Sequence, residues 1–218
     1  LKFLSSPKNA RLGNQIGAFG MLVAVVVTLL KSDVTTGWWW MAAGGAIGAV
    51  IGLVGARNVK MTAMPQMVAL FNGVGGGAVA LISVVEFRMS GGDLPSRELI
   101  PILFAAIIGS ISFWGSDIAF LKLQETLKRS VKVPREVNAA LLLIAVALAV
   151  VIAAGSDSQL VFVLILVAAG ALGVLAVLPI GGADMPVVIS TLNAFTGLSA
   201  AAAATGGTTG PAGVRASG

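Results

Sequence analysis

Residues 137–178 read VNAALLLIAVALAVVIAAGSDSQLVFVLILVAAGALGVLAVL. Two long apolar runs, Val137–Ala154 and Gln159–Leu178, are separated here by only four residues. An α-helix needs about 20 mostly apolar residues to cross the hydrocarbon core of a bilayer, and each run is close to that length. Neither run shows the alternation of a lipid-facing barrel strand. The stretch therefore predicts two membrane-spanning helices joined by a tight polar turn.

Five other stretches have the same length and apolar character, so that the chain has seven predicted spans. In chain order, the first four and the last are Asn14–Leu30, Trp38–Gly55, Met64–Val85, Leu99–Leu121 and Met185–Thr205. The predicted fold class is all-α, a polytopic transmembrane helix bundle of about seven helices. We assign residues 1–205 to this transmembrane domain. The Gly-rich tail, residues 206–218, is predicted to be disordered or the remnant of a further helix.

The composition supports a membrane protein and excludes several kinds of site. Of the 218 residues, 57% are apolar and 11% are charged, whereas soluble domains carry about 25% charged residues. The chain has no cysteine and no histidine, which excludes disulfides, thiolate metal sites and a Ser-His-Asp triad. No span has a central lysine, so a retinal Schiff base is excluded as well.

The basic residues favour one orientation in the membrane. With the N-terminus in the cytoplasm, ten Lys and Arg residues fall on that side and four on the other, in agreement with the positive-inside rule. The loop from Lys122 to Arg135 is then the main cytoplasmic connection. The net charge of +5 is thus assigned to topology and lipid headgroups or to docking of a soluble partner, not to nucleic acid. The cytoplasmic set is Lys2, Lys8, Arg11, Arg57, Lys60, Lys122, Lys128, Arg129, Lys132 and Arg135, and the outer set is Lys31, Arg88, Arg97 and Arg215.

The third and seventh spans share one pattern: Met-Pro, six residues, Asn, three residues, Gly. The copies begin at Met64 and Met185 and place their asparagines at Asn72 and Asn193. On the predicted topology both copies start at the cytoplasmic face, and each asparagine lies about 12 Å into the membrane. Thr62 and Asp184 precede the two copies and are predicted to cap the helices.

The two asparagines allow two interpretations. They either join helices by hydrogen bonds worth about 0.6–2 kcal/mol, or they hold water in a path for protons or ions. Asp117 in the fourth span is predicted to be an interfacial carboxylate near Lys122. Small and polar residues follow one face of that span and suit either a helix interface or a wet cavity: Ala105, Gly109, Ser112 and Ser116.

Three motifs closely resemble one protein family. Residues 181–197 read GGADMPVVISTLNAFTG, residues 59–65 read VKMTAMP, and residues 109–116 read GSISFWGS. Together with RLGN at residues 11–14, they are similar to the membrane part of the proton-translocating NAD(P)+ transhydrogenase beta subunit. The resemblance covers nearly the whole chain to about Thr205.

The resemblance implies a membrane domain that conducts protons to drive hydride transfer from NADH to NADP+ in soluble domains. It assigns Asn193 and Ser116 to the proton path and Asp184 to coupling with the NADP(H)-binding domain. Asn72 occupies a path position where many relatives have histidine. Asn72 cannot titrate, so the titrating group is expected from a partner helix, or the path runs on water through Asn72 and Asn193.

The resemblance also implies where the cofactors, the partners and the chain itself are found. NADP(H) and NAD(H) are expected in the soluble domains of the complex, and this chain is expected to contain no hydride-transfer, cofactor or metal site. The implied partners are the alpha subunit with its membrane helices, the NADP(H)-binding domain of the same beta subunit, the lipid bilayer and a second copy of the whole assembly. The implied location is the bacterial plasma membrane.

Two other classes of protein stay open on the sequence alone, a secondary transporter and a purely structural membrane subunit. Transporters often contain inverted repeats and broken helices, whereas the two copies here are predicted to be parallel and unbroken. In all three cases we expect the third, fourth and seventh spans inside the bundle, with both asparagines facing its interior. The fifth and sixth spans are expected to face lipid, because they are apolar all round.

Overall fold

The computed structural model describes residues 9–30, 37–90, 94–127 and 131–206. These ranges form seven α-helices, and all seven are long and apolar enough to cross a membrane. The prediction of an all-α protein with seven spans is thereby confirmed. The helices are α1 (Ala10–Leu29), α2 (Trp38–Asn58), α3 (Met64–Met89), α4 (Ser96–Leu123), α5 (Arg135–Ala153), α6 (Gln159–Val177) and α7 (Met185–Gly206).

Some predictions concern residues outside the described ranges. These are the tail beyond residue 206 and six of the basic residues used for the orientation, namely Lys2, Lys8, Lys31, Lys128, Arg129 and Arg215. The described chain divides into two units, residues 1–57 and residues 58–218.

The first unit contains α1 and nearly all of α2. No described residue of these helices is buried, and their side chains are predominantly apolar. Trp39 and Trp40 lie in the first turn of α2, and about 80% of their surface is exposed. Indole rings favour the boundary between hydrocarbon and water, so the tryptophans at the start of α2 suit an interfacial anchor.

The second unit is built around α4, which has the most buried span of all seven helices. Near the end of α4, the Leu123 carbonyl accepts a hydrogen bond of 3.1 Å from Gln66 at the start of α3. Ser112 of α4 donates to the Leu192 carbonyl of α7 at 3.4 Å, and Ala105 near the start of α4 packs with Ala203 near the end of α7. Both α3 and α7 are therefore antiparallel to α4 and parallel to each other, as the repeat predicted.

The helix α6 packs against another side of α4 and runs in the same direction. Ser110 of α4 donates to the Leu166 carbonyl at 2.8 Å. Further along, Lys122 donates to the Ile180 carbonyl just beyond α6 at 2.6 Å. The prediction that the sixth span faces lipid was wrong, because 39% of its apolar window is buried. Uniform apolarity did not reveal the small residues through which α6 approaches α4, Gly170 and Gly173.

The fifth helix is closer to its prediction. Only Ala145 and Ile152 of α5 are buried, and Ile152 packs with Phe162 of α6 in the larger apolar core cluster. Most of its other side chains are exposed, as expected of a helix that mainly faces lipid.

Candidate functional site

The clearest polar contact between helices joins Asn72 of α3 to Ser116 of α4. The Asn72 side-chain nitrogen donates to the Ser116 hydroxyl at 2.9 Å, and both residues are buried. The Asn72 side-chain oxygen is also buried but accepts no hydrogen bond from any described residue. A buried amide oxygen without a donor is costly in a low-dielectric interior. Asn72 and Ser116 thus form a polar centre that has capacity for one more donor, such as water.

Glycines let α3 and α4 approach closely around this centre. A Cβ atom on Gly73 would lie 3.1 Å from a carboxylate oxygen of Asp117 and 3.3 Å from Cβ of Ser116. One turn further, a Cβ on Gly76 would lie only 2.9 Å from the Gly109 carbonyl oxygen. The two backbones meet there without room for a side chain, so glycine is required at residue 76 for this approach of α3 to α4.

Further buried hydroxyl groups lie on the packed faces of α3, α4 and α7. Ser112 of α4 bonds to α7 as described, and Ser199 of α7 donates to its own Thr196 carbonyl at 2.8 Å. Ser83 of α3 donates to the Val79 carbonyl at 3.0 Å. All three serines are fully buried. We call Asn72, Ser116, Ser112, Ser199 and Ser83 the polar seam; Ser199 and Ser83 were not identified from the sequence.

Asn193 is not part of the polar seam. Its side chain is exposed, which contradicts the prediction that both asparagines face the interior of the bundle. Gly75 and Thr196, which the repeat pairs, do face each other, since a Cβ on Gly75 would lie 3.6 Å from the Thr196 methyl group. The two copies are therefore aligned in the register that the repeat predicts, but α7 packs through a different face from the one that α3 uses.

The face of α7 that corresponds to the buried face of α3 is uncovered throughout the described part. The α3 residues Ala69, Asn72, Gly73, Gly76 and Val79 are buried. Their counterparts 121 positions later are Ser190, Asn193, Ala194, Gly197 and Ala200, and all of them are exposed. We call these five residues the Asn193 face. Instead, α7 packs through Leu192, Thr196 and Ser199, which lie about 100°, 60° and 120° around the helix from Asn193, all on the same side of it.

The predicted caps of α3 and α7 lie in short 3-10 turns. Met61–Ala63 leads into α3, and the N-cap residue is Ala63, without a capping side chain, so the prediction that Thr62 caps α3 was wrong. Gly182–Asp184 leads directly into α7, and the Asp184 side chain is exposed beside the helix start. A carboxylate at this position is favoured by the helix dipole and is accessible to a partner.

Lys122 holds the connection that carries Asp184. Its buried ammonium group donates to the carbonyl oxygens of Leu178 and Ile180, directly after α6. The last carbonyls of a helix lack partners within the helix, so a cation there satisfies them and fixes the chain direction. The sequence assigned Lys122 to topology and lipid headgroups or to docking of a soluble partner. Its place one residue before the end of an apolar helix was the signal for this second role.

Replacing Lys122 by methionine should loosen this connection. Charge-assisted hydrogen bonds contribute about 1.5–3 kcal/mol, so Lys122→Met should lower the free energy of unfolding by about 2 kcal/mol in a detergent unfolding titration. Lys132→Met is the matched control, because Lys132 is exposed in the same basic segment. Equal losses in the two variants would show that the Lys122 hydrogen bonds do not stabilise the fold.

The arrangement suits water and protons better than a metal or an organic ligand. Among the described residues, no group of three or more acidic side chains could hold a metal ion. A recess between α3, α4 and α6 is lined almost entirely by apolar residues. The polar seam itself contains only hydroxyl and amide groups, all buried within membrane helices. Together, fold and site define a multi-pass helical membrane protein with a polar seam in its largest helix cluster.

Comparison with known proteins gives the family. A family profile described as NAD(P) transhydrogenase beta subunit matches residues 1–208, and the chain belongs to that family. The NAD(P) transhydrogenase subunit beta of Rhodospirillum rubrum is 40% identical over 210 residues, which cover 92% of this chain. The same protein from a named strain of that species gives the same identity and coverage. The chain spans about half the length of these relatives, 45% in both cases.

Proposed function

We propose that this chain is the proton-conducting membrane domain of an NAD(P)+ transhydrogenase. Protons crossing it would drive hydride transfer from NADH to NADP+ in soluble domains outside these 218 residues, where NAD(H) and NADP(H) would bind. The observation that carries the proposal is the Asn72–Ser116 hydrogen bond, with its unpaired buried oxygen, inside membrane helices. A buried amide oxygen that finds no donor among the described residues suits a water-filled path.

The direction of the path follows from the ends of the helices. Gln66 and Leu123 lie at the end of α3 and α4 from which Lys60 and Lys122 also project, and we propose that this end faces the cytoplasm. The N-terminus of the segment would then be cytoplasmic, in a bacterial plasma membrane. Asp184 follows the connection that Lys122 holds, so it would present its carboxylate on the same side. The proposed role of Asp184 is contact with the NADP(H)-binding domain of the same subunit.

The Asn193 face supports a membrane helix as partner. An exposed amide and small residues on one side of a membrane helix suit close helix contact, because polar side chains seek hydrogen bonds in lipid. The side chain of Asn193 forms no hydrogen bond with a described residue. We propose that a helix from another part of the complex, such as the alpha subunit, covers this face. Asn193 would then join the proton path at that interface, in an assembly of two such complexes.

Replacing Asn193 by leucine tests this placement. In the complete complex in lipid vesicles, Asn193→Leu should abolish proton-coupled hydride transfer, because leucine can neither bind water nor bond to a partner helix. Hydride exchange that needs no proton movement should continue, since that chemistry lies in the soluble domains. Thr191→Leu is the control, as Thr191 is also exposed on α7 but lies off the Asn193 face. Unchanged coupling in Asn193→Leu would show that Asn193 takes no part in the proton path and that its side chain faces lipid.

The test of the function as a whole is reconstitution of the complete complex. Addition of NADH and NADP+ to sealed vesicles should move protons, and an imposed proton gradient should change the rate of hydride transfer. A secondary transporter would show neither effect. With a purely structural subunit, hydride transfer would occur. Apolar substitutions in the polar seam would then leave the coupling to proton movement unchanged.

A further inference from the structure

Asp117 is the most deeply placed ionisable residue in the described helices. It lies six residues before the end of α4 at Leu123, which corresponds to about 9 Å along the helix. The other charged residues of the seven helices lie within about one turn of a helix end. A carboxylate at this depth is costly to insert, by up to about 2.5–3.5 kcal/mol at the membrane centre. Its presence therefore calls for a function.

The surroundings of Asp117 connect it to the polar seam. One carboxylate oxygen packs against Gly73, the residue after Asn72, and Asp117 itself directly follows Ser116. No described side chain forms an ion pair or hydrogen bond with it. Between Met64 and Val85, α3 has no charged residue, and α6 and α7 have none within their bounds. The nearest cation along α4, Lys122, is engaged by the carbonyls after α6.

Two buried amide oxygens of α3 lie on the same interface as the carboxylate, one nearer the helix end and one at its level. Gln66, at the start of α3, has a buried side-chain oxygen that accepts no hydrogen bond from a described residue. Asn72, six residues deeper, has the second such oxygen on this helix. Asp117 is partly exposed and lies at the level of Asn72, because one of its carboxylate oxygens is beside Gly73. Gln66 thus lies nearer the end of α3, and the protonatable group lies beside Asn72, about 9 Å deeper along the α3–α4 interface.

We propose that Asp117 is the protonatable group of this proton path and replaces the histidine that the chain lacks. An O–H bond forms on an Asp117 carboxylate oxygen when a hydronium ion at the Gln66 end gives up a proton and becomes water. The same bond breaks when the proton passes to water at Asn72, and no electrons are transferred. This inference rests on the proposed proton-conducting function and adds the residue that titrates.

The test uses the complete complex in lipid vesicles with Asp117→Asn, which keeps the size of the side chain and removes the proton site. Positioned proton-transfer groups contribute about 10²–10⁴-fold to a rate, so proton uptake coupled to hydride transfer should fall by about 100-fold or more. Uncoupled hydride exchange should be unchanged, which also verifies that the complex assembles. Asp117→Glu should restore a substantial part of the coupled rate. Glu86→Gln is the control, a carboxylate on α3 near the opposite end.

A second measurement separates titration from a structural role. Infrared difference spectra of the working complex should contain a carbonyl band of a protonated carboxylic acid that disappears in Asp117→Asn and persists in Glu86→Gln. Wild-type coupling in Asp117→Asn, together with loss of coupling in Asn72→Leu, would overturn this inference and leave the proposed function intact. Wild-type coupling in both variants would overturn the proposed function itself.

Discussion

Gly76→Ala should destabilise the α3–α4 pair markedly, whereas Gly75→Ala, one position earlier, should not. The new Cβ at residue 76 would lie 2.9 Å from the Gly109 carbonyl oxygen and from the Phe113 amide nitrogen. These are backbone atoms of α4, so the helices themselves must separate. At residue 75 the new Cβ would find an ordinary contact of 3.6 Å with Thr196.

The comparison cancels the effect of alanine on the helix itself. Both substitutions gain about 1 kcal/mol of helix propensity, so the difference between them isolates the steric cost, about 1–3 kcal/mol. An unfolding titration of the two variants in detergent measures this difference. Gly197→Ala, the repeat counterpart of Gly76, should behave like Gly75→Ala, because a Cβ there meets nothing within 4 Å. Equal stability of all three variants would mean that α3 and α4 do not meet at Gly76.

Asn72→Leu should have the largest effect on function. Leucine has the same branching and the same number of side-chain heavy atoms as asparagine but removes both the donor to Ser116 and the unpaired oxygen. Proton uptake by vesicles containing the complete complex should fall to background, because water at this level would lose its polar contact. Ser116→Ala should have a smaller effect, since the Asn72 oxygen remains. A fluorescent pH indicator inside the vesicles provides the measurement.

The number of helices and their bounds could be predicted from the sequence because hydropathy alone decides which segments enter a membrane. Every predicted span lies on an observed helix, and the ends differ by at most a few residues, as Leu99–Leu121 against Ser96–Leu123 shows. The repeat at Met64 and Met185 likewise predicted that α3 and α7 are parallel. These features depend on local properties of the chain, which the sequence states directly.

Which face each helix presents could not be predicted in the same way. Asn72 and Asn193 occupy equivalent positions in the repeat. Asn72 is nevertheless buried against α4, whereas Asn193 is exposed. The difference arises because α7 contacts α4 through Leu192 and α3 through Thr196, and no sequence rule distinguishes this face from the adjacent one. The approach of α6 to α4 through Gly173 was missed for a related reason. Helix contacts in lipid depend on close fit between small residues, and hydropathy carries little information about that fit.

The central claim is that protons pass the α3–α4 interface at Asn72, and the ratio of proton uptake to uncoupled hydride exchange tests it most directly. The measurement compares Asn72→Leu with Asn138→Leu in the complete complex. Asn138 is the matched control, an asparagine near the start of α5 whose side-chain oxygen is also buried without a donor among the described residues. We predict a ratio near zero for Asn72→Leu and a wild-type ratio for Asn138→Leu. A wild-type ratio for Asn72→Leu would contradict the account.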